Sequence, residues 1–254
     1  ENTFVKAVES LQKAQVIRFS SMITNEEAMI LQNFKEKFGL KLFNEDARKF
    51  QEFMRSYSSV SGKLHHSASL DALKQADAIV ILGTKVATDN PGVRYAMTTA
   101  AKHNGAKIVY AHPIEDALMQ NTVTQFMKYE VGSEEGVLAL IANEILKDAD
   151  MSDAEKNFFD DLDLGYLQAE SNIGEEELHA MMKAFTRRKN RVLVLGNDVI
   201  AHPRAKNIAK IAALIEKYSD FSLLVIPNEV NTLGVSLLCQ LDEDNGLNEG
   251  CVGY

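Results

Sequence analysis

The 254-residue chain is poor in cysteine and proline, with two of the first and four of the second. Cys239 and Cys251 belong to no CxxC pair, so no iron–sulfur or zinc site is expected to be built within this chain. Both read as small thiols, buried or half-exposed. Long apolar runs are also missing: nothing approaches the roughly 18–20 residues that span a bilayer, and no signal-peptide pattern opens the sequence. The expected location is cytoplasmic, without direct membrane insertion. A basic stripe is absent as well. The formal net charge is −9, with Asp and Glu spread along the chain, and such a field repels phosphate backbones, so no nucleic-acid partner is expected. The single basic cluster, Arg187, Arg188, Lys189 and Arg191, falls at a predicted helix end, where cations complement the helix dipole.

What remains is an ordinary globular composition, 46% apolar and 25% charged. The opening NTFVKAVESLQKA places Phe4, Val8 and Leu11 on one helical face, and QVIRFSS follows as a short strand. A second helix starts at TNEE, where Thr24 and Glu27 have capping-box spacing; it carries Leu31, Phe34 and Phe38 and stops at Gly39. LKLF is a strand, Asp46 to Tyr57 a helix, and SYSSVSGKLHHSAS a Ser-rich loop. Beyond it, strands AIVIL, AKIVYA, TQFMKYE, RVLVLG and FSLLVIP alternate with helices capped or opened by Ser69, Asn90 with Pro91, Ser133 and Pro203. This alternation predicts an α/β fold of Rossmann-like βαβ units on a parallel sheet. The acidic stretch LKDADMSDAEKNFFDDLDLG reads as a linker, giving a first α/β domain over 1–150 and a second α/β unit over 151–254. Glu1 is not a start methionine and NEGCVGY finishes no evident element, so the chain reads as a fragment, truncated in its second unit.

The two halves echo each other. AIVILGTKVATDNPGVRYAMTTAAKHNGAKIVYAHP and RVLVLGNDVIAHPRAKNIAKIAALIEKYSDFSLLVIP share strand, Gly, short loop, Pro, helix, strand and Pro. A Gly after a parallel strand permits a tight turn, and the following helix offers free N–H groups to an anion. Against a nucleotide site, neither GxGxxG nor GxxxxGK[ST] follows Gly83 or Gly196. His65 and His66 lie in the Ser-rich loop and His103 at a helix end, while His112 and His202 each precede a proline near a strand end. No Ser, Cys or carboxylate is spaced to pair with them as nucleophile and base, and Asp160 with Asp161, or Glu175 to Glu177, read as solvated charge. No catalytic residue and no metal ligand is expected.

VIRFSSMITNEEAMILQNF, ASLDALKQADAIVILGTKVATDNPGVRYAM and GAKIVYAHP, in that order, resemble the molybdopterin oxidoreductase superfamily, the fold of formate dehydrogenase and DMSO reductase. The positions concerned are Ser20, Ser21, Thr24, Asn25, Glu26 and Glu27, then Ala76, Asp77, Gly83, Asn90 and Pro91. In the molybdenum enzymes a Cys, selenocysteine or Ser ligates the metal after the second helix. Here NEDARKFQEFMRSYSSVSG has no Cys; Arg55 falls near that position, and Ser56 is the only local ligand candidate. The resemblance is strongest to the branch that lost molybdenum, the large iron–sulfur subunit of bacterial NADH-quinone oxidoreductase (respiratory complex I), and VIPNEVNTLGVSLL resembles a turn found in that group. It implies a scaffold for electron transfer from NADH to quinone, with iron–sulfur clusters in the parent outside this fragment. Its partners would be the other subunits of a complex I peripheral arm, on the cytoplasmic face of the inner membrane. Gly83, Thr84, Asn90, Pro91, Gly196, Asn197 and His202 would then be former pterin loops that hold no cofactor.

Overall fold

The computed structural model describes residues 2–243 and 251–253, and the chain forms two compact units, one of residues 1–52 with 227–254 and one of residues 53–226. The smaller unit has a three-stranded parallel sheet in the order β2 (Lys41–Phe43), β1 (Val16–Arg18), β8 (Cys251–Gly253). Thus the final segment does complete an element, pairing Val16 to Cys251 and Arg18 to Gly253. Helix α1 (Asn2–Lys13) precedes β1 and leaves Phe4, Val5, Val8 and Leu11 exposed. Helix α2 (Asn25–Phe38) carries the expected capping box, Glu27 N–H to Thr24 Oγ1 at 3.2 Å and Thr24 N–H to Glu27 Oε2 at 2.8 Å, and ends at Gly39 in the left-handed region. Ala28, Leu31, Ile17 and Leu42 meet Val235 and Cys239 from α13 (Thr232–Leu238) and its end, so the unit's core joins segments far apart in sequence. The Ser-Thr-Asn-Glu motif is structural here. Ser21 is fully buried, accepts from Asn44 Nδ2 at 3.0 Å and donates its N–H to Glu229. Asn231 Nδ2 reaches Ile23 O at 2.8 Å, and a side chain at Gly234 would collide with Asn25 and Asn231.

Helix α3 (Glu45–Ser61) runs four residues beyond the expected end at Tyr57. Tyr57 is fully buried with its hydroxyl on Glu216, which anchors this turn, and the helix stops at Gly62 (φ +70°). Arg55 and Ser56 lie inside this helix, within the range expected from Asp46 to Tyr57, and the helix takes in the first residues of the expected Ser-rich loop.

The larger unit is built on five parallel strands ordered β5 (Gln125–Met127), β4 (Lys107–Ala111), β3 (Ala78–Leu82), β6 (Arg191–Leu195), β7 (Phe221–Val225). All five residues of β3 are buried, the unbroken apolar pattern of a strand covered on both faces. Ile79, Ile81, Ile108, Tyr110, Val192 and Val194 pack with Leu73 of α4 (Leu70–Gln75) and Val93, Ala96 and Met97 of α6 (Pro91–Asn104). Alternate residues Val80, Leu82, Val109 and Leu193 point the other way. Helices α7 (Glu134–Leu146) and α12 (Ala205–Tyr218) pack on each other and bury Val137, Ile141, Ile208 and Ile211. Each fully buried Ile or Leu contributes about 1.5–3 kcal/mol relative to exposure.

These units divide the chain differently from the boundary expected at 150. Ala78 to Leu82 pair with Arg191 to Leu195 along the whole of β3, which fuses the two sequence repeats into one sheet. The acidic stretch is a helical connection on that unit, α8 (Asp153–Asp160) and α9 (Leu164–Ser171), leading to α10 (Glu175–Ala184). Among the described residues no helix is long and apolar enough to cross a membrane.

Candidate functional site

In an open parallel sheet, ligands bind outside the carboxyl ends of the strands where the winding direction reverses. From β3 the chain winds outward through β4 and β5 on one side; β6 and β7 add on the other, so the reversal lies between β3 and β6. Leu82 and Leu195 are paired there, and Gly83 and Gly196 follow them directly. The sequence repeat thus brings its two glycine turns side by side at the crevice where a ligand would be sought.

The crevice is closed by the turns themselves. Gly196 N–H donates to Leu82 O at 2.9 Å, and Asp198 N–H to Gly83 O at 3.0 Å. A Cβ at Gly83, whose φ is +75°, would stand 2.7 Å from Val199 Cγ1; one at Gly196 would collide with Gly83 O and Thr84 Cβ. Both glycines are spent on loop-to-loop contact. Nor does a long helix follow either one. Gly83 leads into the four-residue α5 (Val86–Asp89) and Gly196 into the five-residue α11 (Asn197–Ala201), so α6 and α12 begin well downstream. Pro203 sits in the turn before α12 and not at its first position.

The N–H groups opening α5 already have protein partners. Lys85 N–H donates to Asp89 Oδ2 at 3.0 Å, Val86 N–H to Tyr110 Oη at 3.2 Å, and Ala87 N–H to Asp116 Oδ2 at 3.2 Å. Tyr110 Oη donates in turn to Thr84 O at 2.9 Å, and Asn90 Nδ2 to Thr84 Oγ1 at 2.9 Å, so Asn90 braces the turn instead of capping α6 with its side chain. Asp116, 4% exposed, takes the position an anionic ligand would want.

The two His-Pro pairs form a second echo at this edge. His112 Nδ1 lies 3.0 Å from the N–H of Ile114, and His202 Nδ1 accepts from Arg204 N–H at 3.0 Å, each ring bonding two residues ahead. The Nε2 atoms face carboxylates, Asp198 Oδ2 at 3.9 Å for His112 and Glu134 Oε2 at 3.5 Å for His202; His202 Nε2 also meets Gly132 O at 3.1 Å. Tyr129 and Glu134 are buried beside one another. Burial raises the Asp198 pKa, with the charges of Glu134 and Asp89 adding and His112 opposing. Burial likewise pushes up the Tyr129 phenol, with Glu134 and Asp198 adding, and the Tyr110 phenol, where Val86 N–H opposes and Asp116, Asp89 and Asp198 add. The edge is therefore acidic. A pterin dinucleotide brings a pyrophosphate, and this crevice, closed by backbone contact and lined with carboxylates, does not fit it.

The remaining sequence candidates lie apart. His66 is tied to Ala68 O at 3.2 Å in the loop before α4, where burial lowers its pKa, and His103 is exposed near the end of α6. Cys239 is buried with its Sγ on Ala28 O at 3.4 Å, and burial pushes its thiol up to about 11. The side chain of Cys251 lies outside the described residues. Sequence reasoning missed Tyr110, Asp116 and Tyr129, the groups that close or flank the crevice; their only signal was position, within β4 for Tyr110 and in the segments that follow β4 and β5 for Asp116 and Tyr129. A separate cavity of about 520 Å³ lies among α7, α8, α9 and α12, with Arg204 paired to Glu135 at 3.1 Å on its wall.

No family model matches the chain. In sequence it is similar to the NADPH-Fe(3+) oxidoreductase subunit alpha of Geobacter sulfurreducens, 22% identical over 212 residues, covering 77% of this chain and 24% of the relative. It is thus distantly related to an oxidoreductase subunit. The chain spans about a quarter of the length of that curated relative. In structure it is similar to acetylene hydratase from Pelobacter acetylenicus, with a TM-score of 0.63 at 10% identity over 85% of this chain and 32% of the other. The formyltransferase/hydrolase complex of Methylorubrum extorquens, solved with methylofuran, gives a TM-score of 0.55 at 12% identity over 87% and 56%. These likenesses establish the α/β fold.

Proposed function

We propose that this chain is a structural part of the large subunit of a multi-subunit oxidoreductase that takes electrons from a reduced nicotinamide nucleotide, and that it holds no pterin or dinucleotide of its own. The observation that carries this reading is the closed crevice between β3 and β6, where Gly83 and Gly196 bond to each other's turns and Asp116 fills the anion position. The distant relative, itself named as an oxidoreductase subunit, supports the class. The finer reading comes from the sequence resemblance: the large iron–sulfur subunit of bacterial NADH-quinone oxidoreductase, scaffolding electron flow from NADH to quinone. Its iron–sulfur clusters would lie elsewhere in the parent, its partners would be other peripheral-arm subunits, and its place would be the cytoplasmic face of the inner membrane. In this role Gly83, Thr84, Asn90, Pro91, Gly196, Asn197 and His202 hold the sheet edge together.

Elemental analysis of the anaerobically purified full-length parent tests the class. Iron without molybdenum, tungsten or releasable pterin is expected; stoichiometric molybdenum or tungsten with pterin would make the parent an active pterin enzyme and overturn the scaffold reading. Steady-state assays of the parent complex test the finer reading, which expects NADH oxidation coupled to quinone. Turnover with NADPH and ferric iron in its place would put the protein with its sequence relative instead.

A further inference from the structure

At the amino edge of the five-stranded sheet, cations gather around β4, β3 and β6. Ala78, the first residue of β3, is paired with Lys107 on one side and Arg191 on the other. Neighbouring strands stand about 4.8 Å apart, so these two cations flank the sheet centre roughly 10 Å from each other. Lys102 lies in the last turn of α6 and Lys183 in the last turn of α10, helices that lead into this edge. Arg187, Arg188 and Lys189 follow in the loop before β6, whose backbone is pinned there by Asp77, which accepts from Lys189 N–H at 3.1 Å and Asn190 N–H at 3.0 Å.

Complementing helix dipoles accounts for Lys102 and Lys183. It does not account for Lys107 on a strand, or for Arg187, Arg188 and Lys189 beyond the helix. Arg191 is occupied within the fold, donating to Arg188 O at 2.9 Å and Phe185 O at 3.4 Å and lying over the Phe221 ring; among the described residues no ion pair holds the other six edge cations, Lys102, Lys107, Lys183, Arg187, Arg188 and Lys189. Beside β3 and β6 the carboxylate is Asp77, bonded to two backbone N–H groups; at β7 the edge also carries Asp220, Glu216, which accepts from Tyr57 and Lys63, and Glu155, which accepts from Lys217 and Tyr218. Arg187 also adopts φ +64°, a left-handed conformation that costs a side-chain-bearing residue about 1–2 kcal/mol. Arg187 is exposed there and holds a conformation that glycine would adopt more easily.

We infer that this basic amino edge docks an acidic surface of a partner protein, an inference that rests on the reading of the chain as one subunit among several. The patch is compact, and the whole chain, patch included, carries a net charge of −9. A nucleic acid tracks a continuous positive groove and would run off this patch into a repelling field, whereas an acidic protein surface need meet only the edge.

Fluorescence anisotropy with a labelled 16-residue Glu/Asp peptide tests this, beside a labelled 20-nucleotide single strand and anionic phosphatidylserine vesicles, at low and high salt. The expected result is saturable peptide binding that weakens at high salt and falls at least tenfold in Arg187→Glu/Lys189→Glu. The control Lys6→Glu/Lys13→Glu, on exposed helix α1, changes net charge equally and should weaken binding less than twofold. Arg187→Gly guards against misfolding, because it relieves the backbone strain: it should unfold no more easily than wild type yet bind more weakly. Equal loss in both charge variants, tighter binding of the DNA or the vesicles, or no peptide binding would overturn the proposal. Metal and pterin analysis of the parent is untouched by any of these outcomes, so the docking face and the scaffold reading fail separately.

Discussion

The Gly83 and Gly196 turns look alike in sequence, yet they need glycine for different reasons. Gly83 sits at φ +75°, a conformation other residues adopt at a cost, and its carbonyl receives the Asp198 N–H. Gly196 has φ −95°, open to any residue, but its missing Cβ is the space that Gly83 O and Thr84 Cβ occupy. One glycine supplies a backbone angle and the other supplies room. A glycine after a parallel strand is therefore a weak sign of a phosphate: a sheet that joins two βα units at its reversal point needs glycines merely to let the turns meet.

The largest effect is expected for Gly196→Ala. Its methyl meets rigid backbone and a β-branched side chain, so a loss of about 3–4 kcal/mol in urea-unfolding stability is expected. Gly83→Ala should cost about 2–3 kcal/mol, part from the left-handed angle and part from Val199. A double-mutant cycle sharpens the distinction. Val199→Ala should recover about 1–2 kcal/mol of the Gly83→Ala loss through a favourable coupling and recover nothing for Gly196→Ala; equal coupling at both sites would mean the turns are equivalent after all. Tyr110→Phe leaves Thr84 O and Val86 N–H without their phenol, and thermal or urea unfolding should show a loss of about 1–2 kcal/mol.

The smallest expected change is a gain. Because the Asp198 pKa is raised in the fold, the folded state holds its proton more tightly than the unfolded chain does, and stability falls as pH climbs from the ordinary carboxylate range through the raised value. Asp198→Asn keeps the backbone bond to Gly83 and removes the charge. With the side chain 54% exposed, solvent screening leaves a few tenths of a kcal/mol at neutral pH, and the difference from wild type should vanish in acid. A loss of stability at pH 7 would mean the His112 contact outweighs the crowding of carboxylates.

Much of this architecture was legible in the sequence. The strands of the larger sheet are short apolar runs with clear punctuation, and Thr24, Glu27, Gly39, Ser69 and Gly105 mark helix ends where the structure has them. Helices α5 and α11 were not legible, because four or five residues span too little of a helical period to show one. The helical run to Ser61 was hidden by its serines, whose local composition favours a loop while the distant partner of Tyr57, Glu216, secures the helix. The division into units was hidden for a related reason: nothing local announces that β6 lies against β3. At the candidate site the glycines and the His-Pro pairs could be picked out, but what they face could not, since Asp116, Glu134 and Tyr129 arrive from other segments.

The pairing of Val16 with Cys251 carries a consequence for how the molecule is made. A ribosome adds roughly 5–20 residues per second, so β1 leaves the exit tunnel on the order of 10–50 s before β8 exists to join it. Residues 53–226 hold all five strands of the larger sheet and can collapse during that interval, while β1 and β2 wait with an unfilled strand edge. Synthesis thus reverses the order of assembly of the two units: residues 1–52 are made before residues 53–226 yet reach their final partners after them.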